Sequence, residues 1–127
     1  MTSSRLRHII LLALLPIWLG SSLCHAQDNK PLRPGQLANE YSDTAHQHRV
    51  AGAYAKAEET YRKALDESVF HDSIRCLFAV NLAEIYLLRG MYSNAQEVLE
   101  QYPPTSEQQR MNWLMRKAQA CSYQRKY

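Results

Sequence analysis

Histidine, cysteine and acidic side chains are the groups through which this chain could hold a metal or attack a substrate, so their spacing is considered first. His46 and His48 stand two residues apart. On a helix that separation turns the second ring about 200° from the first, and the pair cannot close on one ion. His71 lies far downstream. A covalent mechanism would need Cys76 or Cys121 to meet a histidine and a carboxylate, and nothing in the local sequence brings these together. No CxxC pair, glycine-rich phosphate loop or paired-acid signature occurs. The sequence therefore predicts no catalytic residue, no metal centre and no cofactor, and the chain reads as a non-enzyme.

The first 26 residues have the layout of a secretory signal: Arg5 and Arg7, the apolar run 9–19, then the segment Gly20 to Ala26. The run is about 11 residues long and contains Pro16, whereas a helical bilayer span needs roughly 20. No permanent membrane span is expected. Cleavage after Ala26 fits best, since Gln27 opens a polar stretch. Cys24 follows bulky Leu23, which argues against lipid attachment at that cysteine. The mature chain is thus expected in the periplasm or outside the cell. Of 15 basic and 12 acidic residues, Arg5 and Arg7 leave with the signal, and the remainder is nearly neutral. That balance offers no nucleic-acid surface, and the basic stretch 110–127 reads as a solvated face or as a chain cut before its compensating acids.

Residues 27–36, with Pro31, Pro34 and Gly35, read as a flexible leader. Proline is then absent from Leu37 to Pro103, while Ala, Leu, Glu, Gln, Arg and Tyr dominate, a composition that favours helix. Gly52, the stretch 68–72, Gly90 and Pro103-Pro104 divide the helical run. Ser106 with Gln109 makes a capping box, and Asp72 or Ser73 can cap the helix before Cys76. Helices are predicted at 37–51, 54–68, 73–89, 92–102 and 107–124. Short links between them make antiparallel hairpins, an all-α fold.

The hairpins repeat. The turn Gly52-Ala53-Tyr54-Ala55-Lys56-Ala57 recurs as Gly90-Met91-Tyr92-Ser93-Asn94-Ala95, and a third, incomplete copy begins at Arg125-Lys126-Tyr127. In copy 38–71 the marked positions are Tyr41, Ala45, Gly52, Tyr54, Ala57, Tyr61, Ala64 and Leu65. In copy 76–109 they are Leu82, Ala83, Tyr86, Gly90, Tyr92, Ala95 and Leu99, and the partial copy 110–127 has Leu114, Ala118 and Cys121. These residues resemble the tetratricopeptide repeat over most of residues 37–127. The pattern departs from that family at His48, where a large aromatic is usual, at Val69, where the family ends on proline, and in about four extra residues before the second copy.

The resemblance implies a short right-handed α-solenoid whose concave groove binds a peptide or partner helix, a protein-interaction scaffold outside the cytoplasmic membrane. By repeat position the groove is lined by Asn39, Ser42, Asp43, His46 and Arg49, then Leu77, Val80, Asn81, Glu84 and Leu88, then Asn112, Met115, Arg116, Gln119 and Tyr123. Some relatives clamp a C-terminal carboxylate there. Asn81 and Arg116 match that clamp, but Ser42, His46 and Asn112 do not. Cys76 and Cys121 fall about ten residues out of step on parallel helices, about 15 Å apart along the axis, too far for a disulfide. The third copy lacks a second helix to cover Leu114, Ala118 and Cys121. That points to a longer protein, with these repeats as the sensory ectodomain of a membrane signalling or regulatory chain as the alternative function, or to self-association through the uncapped last helix.

Overall fold

The computed structural model describes residues 30–125. The expected signal at 1–26, its cleavage position, Cys24, and Lys126 and Tyr127 of the third copy lie outside the described residues. The chain divides into Met1–Pro31 and Leu32–Tyr127. Lys30 and Pro31, the described part of the first unit, are exposed and without regular structure.

The second unit holds α1 (Pro34–Val50), α2 (Tyr54–Asp66), α3 (Asp72–Leu88), α4 (Tyr92–Gln101) and α5 (Glu107–Gln124), with no strand among the described residues. α1 starts three residues before the predicted helix, inside the expected leader. Pro34 sits at the first helical position, where its missing N–H and fixed φ do no harm. The Gln36 side chain then accepts from the Arg33 N–H at 3.2 Å. Asp72 is the first residue of α3 rather than its cap, which is His71; its carboxylate lies 3.7 Å from Arg75 instead. At α5 only half of the capping box forms. Ser106 accepts from the Gln109 N–H at 3.3 Å, but the Gln109 side chain bonds Thr105 and donates to the Ser73 carbonyl at 2.8 Å. That bond ties the start of α5 to the start of α3.

Gly52 (φ 75°) and Gly90 (φ 71°) are the described residues with positive φ. They occupy matching places after α1 and α3, where a Cβ would be strained. The sequence repeat is thus also a repeat of backbone conformation.

Each helix packs on the next, and α3 also touches α1 and α5. Paired residues give the directions. Glu58 meets Tyr86 and Arg89 while Glu67 meets Arg75, so α2 and α3 are antiparallel. Ser93 meets Gln124 and Leu99 meets Trp113, so α4 and α5 are antiparallel. Tyr41 lies against Phe78 and Arg49 against Glu84, Ser73 against Gln109 and Glu84 against Arg116. α1, α3 and α5 therefore run parallel.

With neighbours on several sides, α3 buries Cys76, Phe78, Ala79, Val80, Leu82, Ala83, Ile85 and Tyr86, as a helix apolar nearly all round should. Phe78 is fully buried, its ring 5.5 Å from Phe70, 6.0 Å from Tyr61 and 6.5 Å from Tyr41. Phe70 belongs to the junction between α2 and α3, so that link supplies a core side chain. Ala45, Ala57, Ala64, Ala79, Ala83, Ala95 and Ala120 are all inaccessible and let the helices approach closely. Tyr61 and Tyr86 are buried, as their repeat positions predict. Tyr41 is half-buried, and its hydroxyl donates to Glu67 at 2.7 Å.

These tyrosines and Cys76 make stability sensitive to alkali. Burial raises the hydroxyl pKa values of Tyr61 and Tyr86, and the hydrogen bond to Glu67 does most to raise that of Tyr41. Burial also raises the Cys76 thiol. In each case the unfolded chain loses its proton first. The stabilisation is complete below the ordinary values, about 8.5 for cysteine and 10 for tyrosine, and is lost as pH rises through the raised ones. Urea midpoints should hold steady from pH 7 to 8 and fall progressively above about pH 9, most steeply beyond pH 10. Tyr61→Phe should flatten the last part of that fall; an unchanged profile would refute the assignment.

Candidate partner-binding face

Because α1, α3 and α5 are parallel, residues at one height on the three helices can meet. Glu84, on the middle helix, accepts from Arg49 Nη1 at 3.1 Å through one carboxylate oxygen. Its other oxygen lies 3.3 Å from Arg116 Nη2. Arg49 Nη2 is 3.3 Å from His46 Nδ1, and Arg116 Nη1 donates to Gln119 at 3.1 Å. Five of the nine residues predicted to form the site, His46, Arg49, Glu84, Arg116 and Gln119, are thereby one continuous polar network. The side chains of Arg49, Glu84 and Arg116 are 34%, 27% and 25% exposed, sheltered enough to be held in place yet open to a ligand.

Asn81 lies one turn before Glu84. It lines a recess of about 240 Å³ with Ser42, Asp43, His46, Arg49, Tyr61 and Glu84. Asn39 and Asn112 are exposed, and neither joins the network. Tyr123 is exposed, as predicted, and its ring stacks on Tyr92 of α4 at 5.4 Å, which anchors it to the last hairpin. Leu77 (49% exposed), Leu88 (53%) and Met115 (52%) remain open to solvent, so apolar surface flanks the polar centre. Val80 departs from its predicted groove position and is buried. One residue of helix is a 100° rotation, and that step from Asn81 carries Val80 into the core.

The network limits what the face can do. Two guanidinium groups share one carboxylate, so Arg116 is not a free cation awaiting a ligand carboxylate. This adds to the mismatches at Ser42, His46 and Asn112 that already weaken the clamp reading. Cys76 and Cys121 are free. Cys76 is buried in the core, while Cys121 accepts from Gln96 Nε2 at 2.9 Å. Among the described residues no three His, Cys, Asp or Glu side chains gather as a metal set, and no helix is long and apolar enough to cross a membrane.

A second recess, of about 280 Å³, lies between α2 and α4 with Leu82 and Tyr86 of α3 among its lining residues. Arg62, Asp66, Asn94, Glu97 and Gln101 also line it. Sequence reasoning missed it because helices two apart in the chain create it together. Its one cation, Arg62, is engaged by Glu58 at 3.0 Å and by the Tyr86 hydroxyl at 2.5 Å.

Comparison of the chain with protein-family models, with curated proteins and with solved structures finds no match.

Proposed function

We propose that this chain is a non-catalytic protein-interaction module, exported across the cytoplasmic membrane. In this reading it is a short right-handed superhelix of tetratricopeptide-like hairpins that binds a peptide or partner helix across α1, α3 and α5. The Arg49–Glu84–Arg116 network carries the reading. It joins three parallel helices at one height and holds long side chains that would otherwise lose rotamer freedom on binding.

The middle helix presents Leu77, Asn81, Glu84 and Leu88 in one stripe. Eleven residues of helix separate the two leucines, about 16 Å at 1.5 Å per residue. An extended segment covers that distance in about five residues. The partner that fits is thus a polypeptide with two apolar side chains at that spacing and hydrogen-bonding groups between them, docked in a groove of this kind.

Selection of a displayed peptide library on residues 32–127 tests this. Peptides should be enriched that bind at least tenfold more weakly, about 1.4 kcal/mol, to the Asn81→Ala/Arg116→Ala variant. Glu97→Ala, on α4, should leave binding unchanged. Failure to enrich any peptide, or equal binding to all three proteins, would reject the groove.

A further inference from the structure

Apart from Cys121 at its edge, which accepts from Gln96 of α4 at 2.9 Å, α5 turns a second face away from both α3 and α4. Glu107, Met111, Leu114, Ala118, Cys121 and Arg125 follow one another at alternating steps of four and three residues, the spacing of a two-helix seam. Met111 is 70% exposed and Leu114 46%, and Ala118 is exposed as well. On the opposite side of the helix Trp113 and Ala120 pack into the core. Cys121 is half-buried at the edge of the stripe.

The stripe is self-complementary when read inward from its ends. Acid answers base in Glu107 and Arg125, a long thioether answers a small thiol in Met111 and Cys121, and large answers small in Leu114 and Ala118. An antiparallel copy of α5, related by a two-fold axis at the height of Arg116, would form these three layers and then repeat them. Antiparallel seams pair one heptad position with the other in this way, and large-against-small layers interdigitate at close-packed density. Opposed helix dipoles favour the same direction. Glu107 now lies 3.7 Å from Arg110, but both side chains are largely exposed, and such a pair is readily given up. Arg125 is exposed.

We propose that this face is a self-association seam on which a second copy of the chain docks antiparallel through α5, making a two-fold symmetric dimer. Asn112, Arg116 and Gln119 lie on a different face of α5, so the seam leaves the candidate groove open and stands without it.

Met111→Cys tests the alignment with a thiol the chain already has. On one helix, positions 111 and 121 are about 15 Å apart, beyond disulfide reach. Across the proposed seam they share a layer. Residues 32–127 should sediment as a dimer at about 50 µM, a concentration that matters because association follows mass action. Leu114→Glu should sediment as a monomer with unchanged helical circular dichroism. Oxidised Met111→Cys should run as a covalent dimer on a non-reducing gel, and adding Cys121→Ser should abolish the link. A monomeric chain whose Met111→Cys form stays unlinked would overturn the proposal and give the face to another protein or to further chain. A dimer that survives Leu114→Glu would overturn it too, by placing the interface elsewhere.

Discussion

Phe78→Ala should destabilise the fold by about 3–5 kcal/mol, the range for removing a buried aromatic from a core that only partly collapses. Phe78 is wholly inaccessible and stands among Tyr41 on α1, Tyr61 on α2 and Phe70 in the α2–α3 junction. Truncation would remove the shared neighbour of three separate segments, and the edge-on ring contacts would go with the transfer energy. For a domain of this size, 1 kcal/mol moves the melting temperature by about 4–8 °C, so a fall of roughly 12–40 °C is expected. Thermal denaturation followed at 222 nm measures it. A fall under about 5 °C would mean that the cavity refills, and that Phe78 is not the hub its surroundings imply.

Ala95→Leu should cost about 1–3 kcal/mol through overpacking. Ala95 is in the first turn of α4 and is 0% exposed, and α4 is flanked by α3 and α5. Three added carbons have no space to enter there, so one of the two interfaces must open. Urea unfolding of the variant beside the parent chain reads the cost directly. An unchanged midpoint would show that the turn repeated from Ala57 to Ala95 does not mark a close helix contact. The two substitutions probe opposite faults in one core, a void and an excess.

Helix content was legible in the chain because its signals are local. The glycines at 52 and 90, the prolines at 103 and 104, and the composition between them placed five helices, with ends that moved by a few residues. The local reading failed where one rule met a competitor. Pro34 reads as a breaker in a loop and as a good first residue in a helix, and only the Gln36 bond to Arg33 shows which applies. Gln109 was expected to close a capping box, but its side-chain oxygen accepts from Thr105 instead, while its nitrogen donates to the Ser73 carbonyl on α3. Phe70 drew no attention because no periodicity surrounds it, although it belongs to the best-packed aromatic group.

The sequence by itself determined an all-helical chain, two matched turns, a core-forming set that includes Tyr61, Tyr86, Ala45, Ala57, Ala64, Ala83 and Ala95, and the absence of any familiar catalytic pattern. These follow from short-range periodicity, φ requirements and side-chain size, which a linear reading contains. Only the tertiary structure decided that Glu84 bridges Arg49 and Arg116, that Val80 turns inward while Leu77 and Leu88 stay open, and that α5 leaves an apolar stripe uncovered. Each of those depends on which helices stand side by side and at what height. Such distances, a few ångströms between groups more than 30 residues apart in the chain, are set by packing.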